Sequence, residues 1–138
     1  MNVDRIMQRH VATVTPQTSV RAVAAVMETA ETGFLPVCEG GRPVGVITDR
    51  DIVLRLMSKT GAATDVPVGE IMSKPVIGCR RADSVAHAAG IMGDHQVRRL
   101  LVLEEDGTLL GLVSLGDIAR DASEVIAGEA LGEIVECR

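Results

Sequence analysis

The stretch Val44-Gly45-Val46-Ile47-Thr48-Asp49-Arg50-Asp51-Ile52 recurs as Leu110-Gly111-Leu112-Val113-Ser114-Leu115-Gly116-Asp117-Ile118. Each copy reads as an aliphatic strand ending in a hydroxyl residue, with an aspartate three positions later where a helix begins. Working outward, the likeness spreads over the chain. Met7, in Val3-Asp4-Arg5-Ile6-Met7, answers to Met72 in Val68-Gly69-Glu70-Ile71-Met72, an offset of 65 residues. The same offset carries Thr18-Ser19-Val20 onto Asp83-Ser84-Val85, Met27 onto Met92, and Leu35-Pro36-Val37 onto Leu100-Leu101-Val102. A one-residue insertion near Asp106 raises it to 66 for the closing stretch.

Each copy predicts the order β-α-β-β-α. A short extended segment (residues 11–15 and 76–79) leads into a helix with apolar residues at helical spacing, Val20, Val23, Ala24 and Met27 in one copy and Val85, Ala88, Ala89 and Met92 in the other. Thr18 or Ser19, and Asp83 or Ser84, suit its N-cap. Two strands follow, residues 34–38 and 43–48, then 100–104 and 109–114, with Gly40-Gly41 and Asp106-Gly107 at the hairpin turns. Pro36 is expected to end or bend an edge, and the four repeat methionines to pack in the core. The fold class is therefore α/β (α+β), two pseudo-symmetric repeats packed sheet to sheet, because neither copy is large enough to bury its own sheet. The repeats are assigned to residues 1–60 and 68–122, with a linker at 61–67 in a small, polar stretch that starts at Ser58. Residues 123–138 form a tail in which Leu131, Ile134 and Val135 make the apolar stripe of a short helix.

Composition narrows the function. The 138 residues carry a formal net charge of −5 and no Lys/Arg run, which argues against a nucleic-acid partner. Phe34 is the only aromatic residue, so a flat ligand must be gripped by aliphatic side chains. The chain begins without a charged-then-apolar leader, and its apolar runs are far shorter than the ~20 residues of a membrane span. A cytoplasmic protein without direct membrane insertion is expected. Cys38, Cys79 and Cys137 are widely spaced and odd in number, and His10, His87 and His95 lack ligand spacing. Inert buried thiols, no metal and no catalytic residues are expected.

The G-x-x-T/S-x-x-D element at Gly45 to Asp51 and Gly111 to Asp117, with Leu35-Pro36-Val37 and Arg99-Leu100-Leu101-Val102, resembles the signature of the CBS (cystathionine-β-synthase-type) domain family, in its small stand-alone tandem form. On elementary grounds, Thr48 and Ser114 stand where a strand hands over to a helix, so a hydroxyl and free backbone N–H groups converge on a spot suited to phosphate. Asp51 and Asp117 can accept hydrogen bonds from a ribose diol. The resemblance implies that such pairs hold AMP, ATP or S-adenosylmethionine. It further implies that the base lies near Thr13, Val14 and Val37 in one copy, and near Ile77, Gly78, Cys79 and Val102 in the other. No obligatory cofactor is expected.

The same hydroxyl–carboxylate pair is also a helix capping box, which binds nothing outside the helix. Occurrence in both repeats favours binding, and the function expected is a regulatory ligand-sensing module, not an enzyme. A ligand-independent structural dimerisation module is the alternative. The resemblance also implies a homodimer through the small-residue helices at 22–30 and 86–93, with a regulated enzyme or transporter as a further partner. The two sites are expected to differ at the phosphate. The first has Arg50, whereas the second has Arg98 and Arg99 at the start of its middle strand.

Overall fold

In a computed structural model that describes residues 1–58 and 65–136, the chain divides into two compact units. One is Val11–Val76; the other combines Met1–His10 with Ile77–Arg138. Residues 59–64, which include part of the assigned linker, and Cys137 lie outside the described residues. The two units do not follow the sequence repeat. Residues 1–10, which open the first copy, pack with the body of the second, and residues 65–76, the end of the assigned linker and the opening of the second copy, pack with the body of the first; each segment is the leader of the unit it joins.

The first-copy unit contains α1 (Val20–Ala30), β1 (Phe34–Glu39), β2 (Arg42–Thr48) and a helical turn α2 (Asp49–Asp51) that continues over Ile52–Met57 with π-type hydrogen bonding. Ser19 caps α1, accepting the Ala22 N–H at 3.2 Å. Val20, Val23 and Met27 of α1 enter a core with Leu35, Val37, Ile47 and Leu56, whereas Ala24 is exposed and Val26 half-buried in its place. Burying one such aliphatic side chain contributes about 1.5–3 kcal/mol. From the leader, Val68 and Ile71 complete this core.

The second-copy unit contains β3 (Gly78–Arg80), α3 (Val85–His95), β4 (Arg99–Leu103), β5 (Leu109–Ser114), α4 (Leu115–Asp121) and α5 (Glu124–Ile134). Ser84 caps α3 through the His87 N–H at 3.0 Å. Here Val3, Ile6 and Met7 complete a core with Val85, Met92, Leu100, Val102, Val113 and Ile118. The tail helix α5 packs on α3 and α4 through Ala127, Ala130 and Ile134. Of the apolar stripe read from the sequence only Ile134 faces inward; Leu131 and Val135 are exposed, because the two alanines let the backbone of α5 approach its neighbours more closely.

The sheets confirm the mixed α/β class and differ at one strand. β3 runs parallel to β4, and β4 antiparallel to β5. In the other unit β1 and β2 form the antiparallel pair, but the expected strand at 11–15 is reduced to one bridge, Val14 to Val37. Proline explains the difference. The Leu101 N–H donates to the Ile77 carbonyl at 3.2 Å. Its counterpart Pro36 has no N–H, so the ladder stops at the two bonds around Val14.

Each leader is tied to the strand that carries the repeated element. Gln8 and Leu112 exchange backbone hydrogen bonds of 2.8 and 2.9 Å, and Ser73 and Val46 exchange bonds of 2.8 and 3.0 Å. The glycine beside each bridge permits that approach. A Cβ on Gly111 would lie 2.5 Å from the Gln8 carbonyl oxygen, and one on Gly45 would lie 2.6 Å from the Met72 sulfur and 3.0 Å from the Ser73 carbonyl oxygen. Gly111→Ala should therefore destabilise by about 1–3 kcal/mol, since backbone must move to admit the methyl. Gly128→Ala, on the open side of α5 with no atom within 4 Å of the added carbon, should stabilise by up to ~1 kcal/mol through helix propensity. Chemical denaturation of the two variants checks both signs.

Candidate functional site

Thr48 and Ser114 both end their strands in extended backbone, at φ −118° and −113°, and both open a capping box. The Asp51 N–H donates to Thr48 Oγ1 at 3.1 Å and the Thr48 N–H to Asp51 Oδ2 at 3.1 Å. The same two bonds join Ser114 and Asp117, at 3.0 and 2.9 Å. The capping that the sequence allowed is thus made at both junctions, and it consumes Oδ2 of each carboxylate.

Oδ1 of each aspartate is held by an arginine one turn further along. Arg120 donates to Asp117 Oδ1 at 2.8 Å, with its guanidinium also 3.3 Å from Asp121. Its hydrogen bond to Asp117, with the field of Asp121, raises the guanidinium above its ordinary pKa. Arg55 stands 3.5 Å from Asp51 Oδ1. Each carboxylate also receives a side chain from the leader paired with its strand: Gln8 Nε2 lies 3.4 Å from both Asp117 oxygens, and Ser73 Oγ 3.5 Å from Asp51 Oδ2. None of these four residues was read as part of the site. The arginines had a signal, helical spacing of three and four residues from the aspartate. Gln8 and Ser73 occupy equivalent repeat positions but differ in type, so the repeat does not flag them.

Three of the N–H groups expected to be free for phosphate are engaged. Those of Asp49 and Leu115 donate to the carbonyls of Gly33 and Arg98 at 3.0 and 2.8 Å, and that of Arg50 donates to Asp49 Oδ1 at 2.8 Å. Arg50, Arg98 and Arg99 are all exposed, and it is Arg55, not Arg50, that pairs with Asp51.

Within each unit the residues expected near a base divide by burial. Val14, Val37, Cys79 and Val102 are buried in the cores, while Thr13 is exposed and Ile77 and Gly78 half-buried. Burial raises the Cys38 thiol and, with Asp83 adding to it, pushes Cys79 up to about 12, so both stay protonated and unreactive. Among the described residues no cluster of three His, Cys, Asp or Glu side chains could hold a metal, and no helix is long and apolar enough to cross a membrane.

The sequence pattern of the CBS domain family matches residues 3–58 and 68–124. A CBS domain-containing protein of Bacillus subtilis (strain 168), YhcV, is 37% identical over 129 residues, which is 93% of this chain and 91% of that protein. Among solved structures, CBSX2 in complex with AMP is 27% identical at a TM-score of 0.75, with 90% of this chain and 97% of that one covered. The CBS domain pair of protein MJ0100 in complex with 5′-methylthioadenosine and S-adenosyl-L-methionine is 25% identical, also at 0.75, with 94% and 98% covered.

The two aspartates are not equally invested in the fold. Asp117 is buried with a full set of partners, so Asp117→Ala should strip the cap and orphan neighbouring donors at a cost of about 1–3 kcal/mol. Asp51→Ala should cost about 1 kcal/mol, the value of a cap alone. Urea midpoints of the two variants test the order.

Proposed function

Because the chain belongs to the CBS domain family, with both of its sequence repeats inside the match, we propose that it is a regulatory module which binds an adenosine-containing ligand, AMP, ATP or S-adenosylmethionine, and performs no catalysis. The observation that carries this reading is the division of labour within each carboxylate. Oδ2 caps the helix, while Oδ1 faces a long, partly exposed arginine side chain, joined at Asp117 by the Gln8 amide at 3.4 Å. An arginine of that kind gives way to a vicinal diol without unmaking the cap. Capping and binding are then compatible uses of one aspartate.

Thr13 in one unit, and Ile77 and Gly78 in the other, offer surface to the base, with Val14, Val37, Cys79 and Val102 forming the floor beneath. Aliphatic contact of this kind suits a chain with a single aromatic residue. Arg50 supplies the phosphate charge in the first unit, and Arg98 and Arg99 in the second. The relatives solved with AMP, or with 5′-methylthioadenosine and S-adenosyl-L-methionine, support this ligand class. Association into a homodimer through the exposed small residues of α1 and α3, which light scattering checks, and control of a partner enzyme or transporter complete the proposal.

The complete capping boxes favour a second reading, a structural dimerisation module that binds nothing. Thermal melting separates the two, since a ligand bound by the folded state alone raises Tm by mass action. AMP, ATP or S-adenosylmethionine at ~100 times its Kd should stabilise by about 2.7 kcal/mol. Replacing both aspartates by asparagine should weaken binding by about tenfold per site, because a charged acceptor becomes neutral. An unchanged Tm with all three compounds contradicts the binding reading and leaves the structural one.

A further inference from the structure

The two carboxylates are equivalent in the repeat and unequal in their surroundings. A carboxylate offers about four acceptor positions. Around Asp117, whose side chain is 2% exposed, two are taken by the Ser114 N–H and by Arg120 at 2.8 Å, and the Gln8 amide covers both oxygens at a longer 3.4 Å. Around Asp51, 16% exposed, Oδ1 faces Arg55 at 3.5 Å, an ion-pair distance beyond a good N–H···O bond. On the other oxygen, Ser73 reaches Oδ2 at 3.5 Å.

The difference has a cause in sequence. Arg120 stands three residues after its aspartate and Arg55 four. In the repeat register, position 120 corresponds to Leu54, while Arg55 corresponds to Asp121, the second carboxylate that holds Arg120. One copy thus clamps its arginine between two aspartates; in the other Arg55 is anchored to the Ile71 carbonyl at 2.9 Å instead of to a second carboxylate. The leader adds a second difference. Gln8 carries an amide that can donate to the carboxylate, and its counterpart Ser73 is shorter and carries a single hydroxyl.

We infer that Gln8 and Arg120 latch Asp117 shut, so that ligand fills the Asp51 unit first and enters the Asp117 unit only when Arg120 swings away. This rests on the adenosine reading above and assigns its order of filling. Arg120 acts on binding through Asp117, which makes it a positioning residue. Its side chain is 66% exposed, so the swing requires no rearrangement of the core.

Residue-resolved ¹H–¹⁵N spectra of the full chain, titrated with AMP and separately with S-adenosylmethionine, report the two units independently. In the wild type, the Thr48 and Asp51 amides should saturate at a ligand concentration about tenfold lower than those of Ser114 and Asp117, the equivalent of one strong hydrogen bond. Arg120→Ala should tighten the Asp117 unit until the two differ by about threefold or less, with the Asp51 unit unchanged; Gln8→Ala should move it the same way. A merely structural role for Arg120 would leave the ratio where it was, and direct ligand contact by Arg120 would widen it; either result overturns the latch. Simultaneous saturation of both units in the wild type also overturns it while leaving adenosine binding intact. If neither compound shifts any of these amides, the adenosine reading itself fails and the latch with it.

Discussion

In each unit a leader residue exchanges two hydrogen bonds with the strand that ends in the hydroxyl, beside further backbone bonds such as Val3 N–H to the Asp83 carbonyl and Val68 N–H to the Thr18 carbonyl. Gln8 does this with Leu112 and Ser73 with Val46. The contact satisfies backbone groups that would otherwise line an edge, and it brings Val3, Ile6 and Met7, or Val68 and Ile71, into a core that lacks them. It also fixes the glycine. With Gln8 or Ser73 pressed onto the strand, no side chain fits at Gly111 or Gly45 without displacing the leader. The same pairing delivers Gln8 and Ser73 to the neighbourhood of the two aspartates, so packing and the chemistry of the site are set together.

What the junction can do follows from how the aspartate is shared. A buried carboxylate must have its lone pairs met, and a helix start must have its N–H groups met; the capping box answers both with one residue. Arg55 and Arg120 then neutralise the remaining oxygen. A surface arginine is a weak, exchangeable partner, because exposed ion pairs contribute little to stability. On the proposed reading such an arginine gives up its place to a hydroxyl pair, more easily at Asp51 than at Asp117, where Asp121 and Gln8 add to the hold.

Much of this was legible in the sequence because repetition doubles every signal. An offset of 65 residues aligns the 3₁₀ turns at Val3–Arg5 and Val68–Glu70 and the caps Ser19 and Ser84, and one of 66 aligns the two hydroxyl–aspartate pairs. Repetition says which segments are alike but not which pack together, so the exchange of leaders was invisible. Val3–Arg5 would align with Val68–Glu70 whichever body it joined. The shortened strand near Val14 was half legible: Pro36 announced an interruption, but only the pairing geometry identifies the Pro36 N–H as the missing donor. At the site, the roles of Thr48, Asp51, Ser114 and Asp117 in capping could be read from spacing. The engagement of the Asp49 and Leu115 N–H groups could not, because their acceptors, Gly33 and Arg98, lie 16 and 17 residues away in the chain.

The exchange of leaders is the claim on which the rest stands, and amide hydrogen exchange under native conditions tests it most directly. If residues 1–10 are built into the unit of the second copy, the Gln8 and Leu112 amides open only with that unit, with protection within about tenfold of the β4 amides. Exchange at Gln8 and Leu112 at the rate of a frayed terminus, alongside full protection in β4, would contradict the account.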